Sequence, residues 1–260
     1  MKPTAVIPLM WETWEYREED LDLKECSTNG IMVLGTNESA KGVNGPEYMG
    51  LLCAKFLLTN GIEILNNKII LVSKGDIALG IIEALAGLGA QVLVVTKEPT
   101  ITIKNHGGIK IGNSLRESRA RELISGADAL IVHSFPDPRV IIGSDGDISA
   151  DQLQLIAPGI SVFQLEGNID RTDLKKSGIS VFPRNDPSSM HMGWDLTELG
   201  PRPLIALNAA GLKVGEIMAR SRRINDNLMA ARKMSLENPL CQDFSIDQKE
   251  MYGLNRRSND

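Results

Sequence analysis

Three stretches of the chain carry residue types that can act chemically on a ligand. The first is Ser73-Lys74-Gly75-Asp76. It stands between an apolar, β-branched run, residues 69–72, and a segment in which Ile77, Leu79, Ile81, Ile82, Leu85 and Leu88 recur at roughly helical spacing. A glycine at such a corner lets main chain approach a phosphate, and the amides of the helix start favour an anion there. The frame Ser73-x-Gly75-x-x-Ala78 keeps the second glycine of a dinucleotide fingerprint, has the permitted alanine at the third place and departs from it at the first. The second stretch is His133-Ser134, which closes the apolar run 129–132. Ligands of open α/β sheets sit beyond such strand ends, and histidine titrates where acid–base work is done. The third, residues 183–193, is rich in turn formers and holds Arg184, Asn185, Asp186 and His191, with Trp194 just beyond. It reads as a lid or substrate wall, or as packing.

These residues need a scaffold, and Lys68 to Thr96 supplies its centre. Strand, tight turn, helix closed by Gly89, and a second strand over residues 91–95 make a βαβ unit in about 30 residues, with parallel strands and a right-handed crossover. Further strands are expected at 4–9, 31–34, 129–132, 160–165 and 178–182. Helices are expected at 19–26, from Pro46 onward, and at 114–124, 148–155 and 204–218. Residues 100–113 read as two short β-like pieces around His106-Gly107-Gly108, with His106 a turn residue. The fold class is therefore α/β, a doubly wound, mostly parallel sheet of the Rossmann type. Its expected divisions are a reduced N-terminal cap at 1–45, a nucleotide-binding domain at 46–225 and a polar C-terminal tail at 226–260 that frays or packs on a partner.

Bulk composition narrows the classes of function. Of the 260 residues, 42 % are hydrophobic and 23 % charged, as in an ordinary soluble globule. A net charge of −5 with both signs interspersed argues against nucleic acid as a partner. No apolar run reaches the ~18 residues of a membrane span, and the opening MKPTAVIPLMWETWEY lacks the long apolar core of a signal peptide. Cys26, Cys53 and Cys241 have no metal-type spacing, and no metal site is expected. The expected setting is the cytoplasm.

The run from Gly75-Asp76-Ile77-Ala78-Leu79-Gly80 to Leu88-Gly89-Ala90-Gln91-Val92 resembles the cofactor domain of S-adenosylhomocysteine hydrolases and D-2-hydroxyacid dehydrogenases. Upstream, Asp22-Leu23-Lys24-Glu25-Cys26 through Gly30-Ile31-Met32-Val33 is similar to the dehydrogenases' approach to that domain, and Ala127 to His133 to their fourth cofactor-domain strand. The resemblance implies a nicotinamide cofactor held by Ser73, Gly75, Asp76, Ile77 and Ser134. It places Thr96, with Lys97 and Glu98 after it, where an acid usually binds the adenosine ribose. A missing acid beside a cation favours NADP over NAD, although Glu98 can reach a ribose from further along the loop. Gly167 and Asn168 fall beside the nicotinamide, and Glu38 and Lys41 become candidate substrate contacts or solvated loop charges. The helix from Pro46 implies a homodimer. The families' own catalytic groups are replaced. Glu166 stands where the dehydrogenases carry an arginine that grips a carboxylate, and Asn208 where they carry histidine. A 2-hydroxy acid is therefore disfavoured.

Three readings result. One is an NAD(P)-dependent oxidoreductase of a small polar metabolite, with His133 as acid–base and Glu166 or Asn208 orienting the substrate. Another is a non-redox enzyme binding an adenosyl ligand such as S-adenosylmethionine at the Gly75 turn. The third is a nucleotide-binding or scaffold protein with an inactive site.

Overall fold

The computed structural model describes residues 2, 4–134, 137–187 and 193–244. Along the chain run β1 (Val6–Pro8), α1 (Leu23–Thr28), β2 (Met32–Thr36), α2 (Gly45–Thr59), β3 (Lys68–Val72), α3 (Gly75–Gly87), β4 (Gln91–Val95), α4 (Thr100–Asn105) and β5 (Ile109–Gly112). Next come α5 (Ser118–Leu123), β6 (Ala129–His133), β7 (Val140–Ile142), α6 (Ala150–Ile156), β8 (Ser161–Glu166), β9 (Asn168–Ile169), α7 (Arg171–Lys176) and β10 (Ser180–Phe182). The chain continues with α8 (Arg202–Ile224), α9 (Leu228–Leu236) and β11 (Cys241–Gln242).

Two compact units form. One holds residues 46–200, the other residues 1–45 together with 201–260. The larger is built on a six-stranded sheet of order β10-β8-β6-β3-β4-β5 in which every pairing is parallel. The chain enters at β3, winds outward through β4 and β5, then returns to β6 on β3's other side and winds outward through β8 and β10. The reversal between β3 and β6 is the switch point of a doubly wound sheet. Side chains alternate across it: Ile69 and Leu71 join the α2–α3 layer with Leu52, Phe56, Ile81 and Leu85. Ile70 and Val72 join the opposite layer with Leu115, Ile124, Leu153 and Leu174. Gly80 brings α3 against the first turn of α2, since a Cβ there would overlap the Pro46 carbonyl.

The smaller unit pairs β1 parallel and β11 antiparallel to β2, with α8 supplying Val214 and Met218 beneath Met32 and Leu34. Residues 201–225, grouped above with the nucleotide-binding domain, belong here: the apolar stripe of α8 packs on β1 and β2.

Two expectations require correction. Thr100-Ile101-Thr102-Ile103 alternates like a strand, yet it forms α4: Pro99 precedes its first turn, only Ile103 is buried, and Gly107 and Gly108 follow its end. Residues 226–244 are no frayed tail. They form α9 and β11, tied by the Arg232–Asp243 ion pair. No helix among the described residues is long and apolar enough to cross a membrane, and they contain no metal-binding group of three or more His, Cys, Asp or Glu.

Candidate functional site

At the carboxyl edge of the sheet, three neighbouring strands end on three polar residues. Ser73 follows β3, His133 ends β6 and Glu166 ends β8, each at least nine-tenths buried. A register shift between Val132 and His133 pairs His133 directly with Glu166 and re-aims the imidazole. Ser73 Oγ lies 3.1 Å from His133 Nδ1, and His133 Nε2 lies 3.6 Å from Glu166 Oε2. With the Nε2 hydrogen directed to the carboxylate, Nδ1 accepts the serine hydroxyl. Burial pulls the histidine pKa down to about 4, with the nearby Lys74 ammonium acting in the same direction, so the ring is neutral at pH 7.

A cleft of about 180 Å³ opens beside this row, lined among others by Ser73, Thr96, Glu98, His133 and Ser134. Gly75 has φ +63°, and a Cβ built on it meets nothing within 4 Å, so bare main chain faces open space at the start of α3. Its amide donates to Glu98 Oε1 at 3.1 Å. The loop carrying Glu98 is pinned by Lys110 Nζ donating to its carbonyl at 2.7 Å and by its own amide donating to Thr96 Oγ1. Ser134 Oγ is buried and has no hydrogen-bond partner among the described residues. Its amide donates to the Glu166 carbonyl, and its hydroxyl sits where any side chain on Gly167, at φ +115°, would have to go. The opposite wall is charged. Asp147, buried, accepts from Ser114 Oγ at 2.7 Å and Arg116 Nε at 2.9 Å, while Arg139 clasps Asp137 and holds its carboxyl below the usual range.

The structure thus gathers Ser73, Thr96, Lys97, Glu98, His133 and Ser134 around one cleft, with Gly75 at its corner and Gly167 behind Ser134. Asp76 is exposed and Ile77 packs into the α2–α3 layer, which leaves their first-turn amides as what they offer a ligand. Asn168 turns away, donating to the Pro138 carbonyl. Glu38, Lys41 and Asn208 belong to the smaller unit. There Glu38 donates its amide to Glu12, and Asn208, exposed, donates to the Leu204 carbonyl. His191 lies outside the described residues. Sequence reasoning missed Lys74, Asn113, Asp137, Arg139 and Asp147 in the lining. The available signal was position: most of these lie on loops that follow β5 and β6 at the cleft edge.

No protein-family model matches the sequence, and no curated protein is similar enough to be matched to it. Solved structures do match. The apo D-lactate dehydrogenase of Escherichia coli is 14% identical, with 83% of this chain and 75% of that chain covered and a TM-score of 0.57. The D-lactate dehydrogenase of Lactobacillus jensenii, solved with NAD+, is 12% identical over 83% and 76%, with a TM-score of 0.53. The fold is shared with these D-lactate dehydrogenases. Dipicolinate synthase A chain from Bacillus subtilis is 14% identical with a TM-score of 0.52; the match covers 75% of this chain and 61% of that one. The resemblance to the dehydrogenases read from Gly75 to Val92 therefore holds at the level of fold.

Proposed function

We propose that the chain is an NAD-dependent oxidoreductase acting on a small polar metabolite. The observation that carries this reading is the Gly75 corner, bare main chain open to solvent at the start of α3. The Ser134 hydroxyl, without a partner among the described residues, and the open space at Gly75 fit a phosphorylated ligand. Sequence alone favours NADP, because Thr96 and Lys97 occupy the usual place of the ribose acid. Glu98 alters that balance. A carboxylate at the cleft suits a ribose diol and repels a 2′-phosphate, so NAD ranks first here. D-lactate dehydrogenase from L. jensenii, of the same fold, was solved with NAD+.

Bound NAD would supply the hydride acceptor or donor. The chain's own residues bind and manage protons: bare main chain at Gly75 makes room for the diphosphate and the Asp76 and Ile77 amides bind it, Glu98 faces the ribose, and neutral His133, backed by Glu166, passes on the proton that accompanies hydride. A homodimer is part of the same proposal and is checked by sedimentation equilibrium.

One observation favours the adenosyl reading instead. Glu98 already occupies the Gly75 amide, and a ligand without a diphosphate leaves that contact in place. Thermal unfolding with NADH, NADPH and S-adenosylmethionine separates the two. NADH is expected to raise the midpoint, by the equivalent of about 2.7 kcal/mol at a hundred times Kd, and NADPH to do so less. A shift with S-adenosylmethionine alone removes the redox reading.

A further inference from the structure

Ser73 takes no part in the cofactor reading beyond its place in the turn, yet its surroundings are those of an activated hydroxyl. Its Oγ is 3.1 Å from a histidine nitrogen, and that histidine's other nitrogen faces a carboxylate at 3.6 Å. A nucleophile within hydrogen-bond reach of a base, itself oriented by a third group, is the pattern of nucleophilic catalysis on unrelated folds. Ser73 also stands at a strand-to-helix corner, in the cleft wall, one residue before the Lys74 N-cap of the 13-residue helix α3. The amides of Asp76 and Ile77 lie ahead of that helix's own hydrogen-bond ladder and are available to a developing oxyanion.

We propose that Ser73 is a nucleophile, with His133 as its general base and Glu166 as the residue positioning that base, and that the cleft transfers acyl groups from small activated esters or thioesters. Ser73 Oγ bonds to the acyl carbon while its proton moves to His133 Nδ1. The bond to the alkoxide or thiolate breaks, and the leaving group takes that proton. Water then gives a proton to His133 and its oxygen to the acyl carbon, and Ser73 departs with the proton returned, so that ester and water become acid and alcohol. The inference does not depend on a nicotinamide cofactor.

The test uses the full chain with two probes, p-nitrophenyl acetate and a fluorophosphonate, read by intact mass and peptide mapping. One adduct per chain is expected, on Ser73. Because the neutral imidazole is the active form and its pKa lies near 4, the labelling rate should be flat from about pH 6 to about pH 8. A hydroxyl ionising without help would instead gain tenfold per pH unit. His133→Gln and Glu166→Gln should each slow labelling at least about a hundredfold, and Ser73→Ala should abolish it. Absence of an adduct on the native protein, an adduct on Ser134 or elsewhere, or a rate indifferent to His133→Gln overturns the proposal. If Ser73→Ala fails to fold, the map and pH profile of the unmodified protein decide. Failure of NADH to bind leaves this outcome unaffected, so the two readings fail separately.

Discussion

His133 shows how a single side chain can be legible in type and illegible in state. Its place at a strand end was readable, since an apolar run stops on it. Its neutrality was not, because that comes from burial to 4% exposure and from the Lys74 ammonium, which lies far from it in sequence. The depressed pKa has a thermodynamic consequence. The unfolded chain binds a proton at this site below 6.5 and the folded chain only below about 4. The stability is therefore fully present above 6.5 and is lost as pH falls toward 4, by up to about 3 kcal/mol. Urea melts at several pH values should show that acid slope, and His133→Gln should flatten it whatever the variant's absolute stability. Glu98 is a similar case. Thr96 stands one step past β4, where a ribose acid is usual, and the sequence offers Glu98 only as an alternative; the fold-back that brings its carboxylate to the Gly75 amide rests on Thr96 and on Lys110, which is distant in sequence. Glu98→Gln should weaken NADH binding and narrow any gap between NADH and NADPH, measured by quenching of cofactor fluorescence. An unchanged ratio of the two affinities would remove Glu98 from cofactor selection.

Among the elements, those with a large buried face were readable in the sequence, as were several short ones such as β1 and β10, whereas α4 was not. β3, α3, β4, β6 and β8 fall where apolar runs and helical spacing put them, because each buries a face large enough to force its pattern on the sequence. α4 is six residues long and buries one isoleucine, so its threonine–isoleucine alternation had nothing to contradict it. The glycines of α3 carry information that periodicity does not. Gly80 and Gly50 are the points where α3 and α2 touch backbone to backbone; a Cβ on either overlaps the other helix. Gly87 ends the same helix with nothing within 4 Å of its missing Cβ. Helix propensity alone would reward alanine at both sites with roughly 1 kcal/mol. Gly80→Ala should instead destabilise by about 1–3 kcal/mol, the usual cost of overpacking, whereas Gly87→Ala should be neutral or stabilising by a few tenths up to about 1 kcal/mol. Denaturant midpoints at constant m-value distinguish these outcomes.

At the scale of the molecule, Glu15 in the smaller unit and His133 in the larger have displaced pKa values with opposite consequences. The smaller unit is assembled from chain ends, 1–45 with 201–260, an arrangement no local pattern announces. It depends on β11 adding to β2 across some 200 residues of intervening chain. Within it Glu15 accepts the Glu12 amide at 3.0 Å, and burial, reinforced by the Glu12 charge, pushes its carboxyl up to about 7. The folded state therefore holds a proton that the unfolded chain has released. Glu15 costs nothing below about 4.5, and stability is lost as pH rises from there to about 7. His133 in the larger unit acts the other way, losing stability as pH falls below 6.5. Glu15→Gln keeps an acceptor for the Glu12 amide and removes the titration, so it should stabilise at pH 8 and have little effect at pH 4. With Trp194→Phe, the remaining Trp11 and Trp14 report on the smaller unit alone, and their urea midpoints at the two pH values measure this contribution. Equal gains at both would show that Glu15 is ionised throughout and that the burial around it is looser than the structure has it.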